Sequence, residues 1–211
     1  MKATSPSRRF ARVAAAAVVS ILLGTGVSCD MFKPRAADQA YWALQTGPLH
    51  ATPVANPTKS VRVRTVSAPA PISSAPLVYR YPNGQVRVDQ YNSWISPVQV
   101  LATPEIQNGL RSTGRFSGVL SPADAGEVWA ELQLSIIDAS AHYELGADKA
   151  FARVSVVVTW MGGDDQDDVM RQTVITKDVT IAKDTAQGVV ESLNAAWTQV
   201  VQEVVDRAPA Q

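Results

Sequence analysis

Cysteine is nearly missing from this 211-residue chain, which holds one Cys and two His. A lone thiol excludes an internal disulfide and a thiolate metal centre. The histidines, His50 and His142, have no neighbouring ligand set, so neither is assigned a metal-binding or catalytic role and both are read as solvated polar residues. Recognisable catalytic cradles are missing too: there is no G-x-S-x-G elbow, no G-x-x-x-x-G-K-[ST] loop, no G-x-G-x-x-G and no H-E-x-x-H. No cofactor is expected, and the chain is read as a non-enzyme. An excess of charge is lacking as well, with 19 basic and 19 acidic side chains, which argues against the concentrated basic face that a nucleic acid requires. Only one long apolar run occurs, Val13 to Leu23. At a rise of about 1.5 Å per residue it spans roughly half of a hydrocarbon core of about 30 Å, too little for a permanent transmembrane helix.

What surrounds that run gives it a purpose. Lys2, Arg8, Arg9 and Arg12 precede it with no acidic residue, and Gly24, Thr25, Gly26, Val27 and Ser28 lead from it to Cys29. This basic, apolar, small order is that of a secretory signal, so residues 1–28 are assigned to a signal peptide. A cysteine directly after such a site resembles the bacterial lipobox, in which the thiol is acylated by diacylglycerol and becomes the new amino terminus. Gly26 stands where that pattern prefers Leu, whereas Ser28 is an acceptable small residue. On this resemblance Cys29 is the lipidation site, and two or three acyl chains anchor the protein to a membrane at roughly 0.8 kcal/mol per buried methylene. The alternatives are an ordinary secretory cut near Ser28, which leaves Cys29 a free thiol, and an uncleaved anchor. "SRRFA", residues 7–11, also half-resembles a twin-arginine export signal.

Asp30 resembles the sorting signal that keeps enterobacterial lipoproteins in the inner membrane. That rule varies between bacterial groups, so inner and outer membrane both stay open. Residues 29–38 are read as the lipidated Cys and a short tether, and residues 39–211 as a single domain. Removing the four basic residues of the signal leaves 15 basic against 19 acidic side chains, a net charge of about −4, which gives no reason to expect strong steering toward anionic lipid.

From Gln39 onward the chain becomes periodic. "AYWAL" (40–44) is a short aromatic strand candidate, and "KSVRVRTVSA" (59–68) alternates as a strand with one buried face. "LVYRY" and "QVRVDQY" flank "PNG" at residues 82–84, a strong hairpin signal. Residues 97–112 have helical spacing at Val98, Leu101, Ile106 and Leu110. Pro104 leaves two options there: a fresh helix capped by Thr103 with Pro104 at its first position, or one helix kinked at the proline. A short strand at 115–121 precedes three alternating segments, at 128–140, 150–160 and 169–182. The clearest helix begins at Thr185, capped by Asp184 or Thr185, and places Val189, Val190, Leu193, Trp197, Val200, Val201, Val204 and Val205 on one stripe. The fold class expected is α+β: a mainly antiparallel or mixed sheet with two helices packed on one face.

Two further features are weighed for chemistry. "GGDDQDD", Gly162 to Asp168, is a dense carboxylate run, but it lacks the ligand order of an EF-hand and reads as a solvated hairpin loop. Trp94, in "YNSWISP", reads as a core anchor.

Taken in order, Cys29, "YWAL", "VRVRTV", "LVYRYPNGQVRVDQYNSWISP", the two long strands and the closing "SLNAAWTQVVQEV" make the chain resemble the ABC-type transport auxiliary lipoproteins, of the paraquat-inducible protein C kind. The resemblance covers nearly the whole mature chain. It implies a periplasm-facing, lipid-anchored accessory subunit of a transporter that moves phospholipid or related hydrophobic molecules between the two membranes of a Gram-negative envelope. It also implies partners: a mammalian-cell-entry-domain protein that forms the substrate path, and an ABC permease and ATPase complex that supplies energy. A homo-oligomer is left open. Two rival readings are an envelope assembly or stability lipoprotein unrelated to transport, and an exported hydrolase with an unusual site.

Overall fold

The computed structural model describes residues 38–144, 150–163 and 171–208. Cys29, Asp30 and the Asp164–Asp168 part of the carboxylate run lie outside the described residues. Among the described residues eight strands and two helices follow in the order β1 (Ala40–Trp42), β2 (Ser60–Val63), β3 (Pro76–Arg80), β4 (Val86–Trp94), α1 (Val98–Ser112), β5 (Gly118–Leu120), β6 (Ala130–Tyr143), β7 (Ala150–Gly162), β8 (Arg171–Thr180) and α2 (Ala186–Asp206).

All eight strands form one mixed sheet with β6 as its spine. One edge of β6 pairs antiparallel with β7 from Ala130 to Tyr143, with a register shift at Ile137 that turns Asp138, Ser140 and His142 to the face opposite Ile136, and β7 pairs antiparallel with β8. The opposite edge is shared: β2 runs parallel to Ala130–Leu132, and β3 runs parallel to Ala141–His142. Outside these, β5 joins β2, while β4 joins β3 by a hairpin and carries β1 in parallel on its far side. The hairpin turns at Pro82-Asn83-Gly84, where Gly84 takes a φ of +80° that a side chain would strain.

Period-two alternation explains the strands. Val61, Val63, Leu132, Leu134, Ile136, Val156 and Val158 are buried on one face and join a single core with Trp94, Trp160 and the inward stripes of both helices. The α2 stripe read from the sequence is the buried one, and the Thr185 hydroxyl caps it by accepting from Gly188 N at 3.1 Å. Helix α1 is continuous through Pro104, which settles the open choice against a fresh start at Thr103. Proline removes one backbone donor, the one that would reach the Val100 carbonyl. Val100 is 55% exposed, so water can serve that oxygen. The Thr103 hydroxyl meanwhile donates to Gln99 O at 3.1 Å and accepts from Val66 N at 3.2 Å, fastening this turn to the chain that leaves β2.

Three strands are shorter than their patterns predict. The "AYWAL" strand stops at Trp42, the 59–68 strand at Val63, and the 115–121 strand covers only Gly118–Leu120. Beyond Val63 the chain still follows β6, with Arg64 N donating to Leu132 O and Ser67 N to Leu134 O. It has gained one residue relative to its partner, since Val63 faces Leu132 and Ser67 faces Ser135, and the regular ladder breaks as at a bulge.

The proline-bearing connector after β1 is not a bare link. Residues 43–50 run along the helices, and their backbone is held by side chains. Asn194 takes Ala43 O and Gln45 N, Glu105 takes Thr46 N at 2.7 Å, Thr198 takes Gly47 N at 2.9 Å, and Gln202 takes both His50 N and His50 O at 2.7 Å. Positions 194, 198 and 202 recur every four residues and form a ladder on one face of α2. Gly109 permits the close approach beneath this strap, because a Cβ there would meet Val201 at 2.7 Å and Leu49 at 3.1 Å.

Candidate interaction surface

Both helices join the core on one side of the sheet, so the alternate residues of β6, β7 and β8 make up the other side. Here the pattern that buries valines inward turns arginine, aspartate, serine and threonine outward. At its centre lie Asp138, Ser140 and His142 of β6 and Arg80 of β3. His142 Nε2 is 2.8 Å from Asp138 Oδ2 and 3.2 Å from Ser140 Oγ, the Ser140 hydroxyl donates to Asp138 Oδ1, and Arg80 Nε donates to Ser140 Oγ at 3.1 Å. Burial pushes the Asp138 carboxyl up, but the hydrogen bonds from His142 and Ser140 and the nearby positive charge outweigh it and hold the group below its ordinary value.

Serine, histidine and aspartate in contact raise the question of a nucleophilic triad. The geometry does not allow one. A triad histidine accepts from the serine on one ring nitrogen and donates to the carboxylate from the other, whereas a single nitrogen of His142 faces both partners here. Ser140 is fully buried besides, so no substrate reaches its oxygen. The cluster closes a polar network on the sheet, and His142 belongs to it, which corrects the reading of His142 as a freely solvated residue.

Two further groups flank the centre. Toward β8, Arg153 grips Asp178 through two bonds of 2.7 Å, and its guanidinium lies 5.0 Å above the Phe151 ring, which His142 stacks against at 5.1 Å. Toward β2, Arg62 and Arg64 converge on Glu131. Arg62 also donates to the carbonyls of Asp124 and Gly126, tying that loop to the sheet. Together with Thr65, Pro122 and Gln133 these residues line an open concavity of about 640 Å³. Burial raises the Glu131 carboxyl, and the two arginines lower it further than that. Every formal charge named on this face has a partner of opposite sign.

The sheet has two long flanks. Among the described residues β8 pairs only with β7, and on its outer side Val174 is 58% exposed. At the opposite flank β1 covers β4 only from Asn92 to Trp94, and five large apolar side chains stand exposed there: Tyr41, Val86, Val88, Tyr91 and Ile95.

His50 contributes its backbone to the strap. Trp94 is a core anchor at 3% exposure, as expected. Trp197, at 1%, donates from Nε1 to Thr46 Oγ1 at 3.2 Å. The work of Asn194 and Gln202 as strap holders depends on which distant segment lies against them, which helical spacing does not say. Among the described residues no group of three or more His, Cys, Asp or Glu is placed to hold a metal, and no helix is long and apolar enough to cross a membrane.

The fold has solved counterparts. A Xanthomonas campestris protein of the DUF330 family aligns with 79% of this chain and 92% of its own at a TM-score of 0.65 and 18% identity. A second, uncharacterized protein aligns with 82% of this chain and 99% of its own at a TM-score of 0.63 and 15% identity. At these identities the likeness is one of fold alone. No curated protein sequence matches. The family described as the ABC-type transport auxiliary lipoprotein component matches residues 42–205, from the last residue of β1 to the last turn of α2. The match takes in both helices, the spine of the sheet and the polar face built on it, and by it this chain belongs to the ABC-type transport auxiliary lipoprotein family.

Proposed function

We propose that this protein is the envelope-anchored accessory subunit of an ABC-type, mammalian-cell-entry-domain lipid transport system, and that it works by holding a partner protein. Cys29 supplies the lipid anchor, residues 30–38 the tether, and the domain a docking surface exposed to the periplasm. Energy and the substrate path belong to the partners. The observation that carries this reading is the sheet side that both helices leave uncovered, bounded by the ten-residue β8 whose outer edge is unpaired among the described residues. Such an edge offers backbone donors and acceptors to an added strand, and Val174 offers an apolar contact beside them. The family's role as a transport auxiliary fits a subunit that binds rather than turns over substrate.

Capture from native membranes tests the proposal. The full-length lipoprotein is expected to recover a mammalian-cell-entry-domain protein or the permease, and a Val174→Lys variant, altered only at an exposed side chain, to lose it while staying folded. Recovery of envelope assembly factors instead would move the protein to the rival class. Replacing Cys29 by Ser is expected to release the protein from membranes; retention of that variant in the pellet after a salt wash would place the anchor elsewhere.

A further inference from the structure

We infer that the β1–β4 flank is a membrane-contact face, seated on the bilayer that holds the anchor; this rests on the reading of Cys29 as the lipidation site. The register of the two strands assembles the face. Tyr41 pairs with Ser93 and Trp42 with Trp94, so the tryptophans turn into the domain while Tyr41 turns out. Ile95 continues the ladder, its N–H donating to Trp42 O at 2.8 Å, and its side chain follows Ser93 on the outer side. Tyr91 is turned out by the irregular stretch before it. Asp89 Oδ1 accepts from both Tyr91 N and Asn92 N, closing a bulge that Tyr79 braces by donating to Oδ2 at 2.8 Å. Tyr41, Tyr91 and Ile95 are 62%, 53% and 59% exposed, and Val86 and Val88 extend the apolar strip along β4.

Elsewhere the outward side of the sheet is mostly paired charges and hydroxyls, with Ile137 of β6 and Val174 of β8 as separate exposed apolar groups, so the five-residue apolar strip gathered at this flank needs an occupant. Three observations choose the bilayer. The first is chain length: the nine residues from Asp30 to Asp38 reach at most about 30 Å when fully extended, and they join the domain next to β1. A lipidated Cys29 therefore keeps Tyr41 within about 40 Å of its own membrane. The second is composition, since tyrosine has an apolar ring with a polar tip and is enriched at the headgroup level, with aliphatic neighbours just below. The third is shape: none of these side chains lines the concavity at Arg62, Arg64 and Glu131, and a strip outside a cleft suits a broad surface better than a knob. Because the tether confines the strip to effective concentrations of the millimolar order, a weak intrinsic affinity is enough to orient the domain. Sheet order then carries the consequence. Five strand spacings separate β1 from β8 along β1-β4-β3-β6-β7-β8, which puts the β8 edge about 24 Å away from the membrane-contact flank.

The test uses the full lipoprotein in phosphatidylcholine and phosphatidylethanolamine vesicles. Cys29 is the only cysteine and is blocked once acylated, so Tyr41→Cys, Ile95→Cys and Val174→Cys each give one site for a polarity-sensitive fluorophore. The labels at 41 and 95 are expected to shift to the blue and to be quenched by nitroxide-bearing lipid, and the label at 174 to do neither. Co-flotation with vesicles reports the anchor separately. If the protein floats and all three labels remain equally water-exposed, the membrane face is wrong and the anchor stands. If the labels at 41 and 95 shift only when an envelope protein is added, the strip is a protein-docking surface. If the unsubstituted protein takes up label at Cys29 and does not float, both inferences fall together.

Discussion

The two flanks of the uncovered sheet side are built on opposite principles. From β6 to β8 the polar outward positions Asp138, Ser140, His142, Arg153 and Asp178 are each bonded to another member of the same face, with Val174 standing exposed near the rim. At β1 and β4 the outward positions are Tyr41, Tyr91 and Ile95, bonded to the sheet by backbone and exposed by side chain. Mutual hydrogen bonding makes the first region rigid and neutral, since an unpaired buried group would cost about 1 to 3 kcal/mol. The second region leaves its contact area unspent within the monomer, the condition of a surface awaiting an occupant. One fold therefore separates a satisfied polar plate from an unsatisfied apolar strip by a few strand widths.

The largest expected effect comes from beneath both regions. Trp197→Ala removes a buried ring and its bond to Thr46, at a cost of about 3 to 5 kcal/mol against a domain stability of about 5 to 15. The variant should aggregate or melt far below the parent. An unchanged melting temperature would mean that α2 does not support the sheet as described.

Next in size is Asp138→Ala, which strips Arg80, Ser140 and His142 of their common acceptor. A loss of about 2 to 3 kcal/mol is expected in urea unfolding. The same residue sets a pH dependence. Its carboxyl titrates lower in the folded chain than its ordinary value of 3.8, so its stabilisation is present above about pH 4 and is lost as pH falls through the folded value. Asp138→Asn should flatten that acid limb of the stability profile. An acid limb identical to the parent's would show that the polar plate owes nothing to this carboxylate.

Smaller still is Asp89→Ala, which opens the bulge at the apolar flank. Burial raises this carboxyl, and the bonds from Tyr91, Tyr79 and Asn92 lower it overall, so removing it should cost about 1 to 2 kcal/mol. It should also turn Tyr91 inward, lowering the exposure of that ring to solvent quenchers. The smallest effect belongs to the Tyr41→Ser, Ile95→Ser double variant, expected to keep stability within about 0.5 kcal/mol. A marked destabilisation would reveal that the strip is structural and that the contrast between the flanks is one of degree.

Much of the scaffold was legible because it rests on periodicity. The α2 stripe, the hairpin at Asn83-Gly84 and the long alternating β6 and β7 each express a local rule, and the structure keeps them, the alternation of β6 as far as Ile136. The Pro104 helix was left with two options because its outcome turns on whether water reaches the Val100 carbonyl, which is a property of packing. His142 was misread for a related reason: its partners Asp138 and Ser140 are sequence neighbours, but Arg80, Phe151 and Arg153 come from other strands.

By itself, the sequence determined an α+β domain with one buried face per strand and a closing amphipathic helix. Those properties follow from residue type and spacing along the chain. Only the tertiary structure decided that β6 is shared between β2 and β3, that residues 43–50 strap the helices, and that the outward face divides into a paired plate and an apolar strip. Each of these depends on which segment lies next to which across the sheet. Alternation tells a strand which side to bury, and it is silent about the neighbour it will meet there.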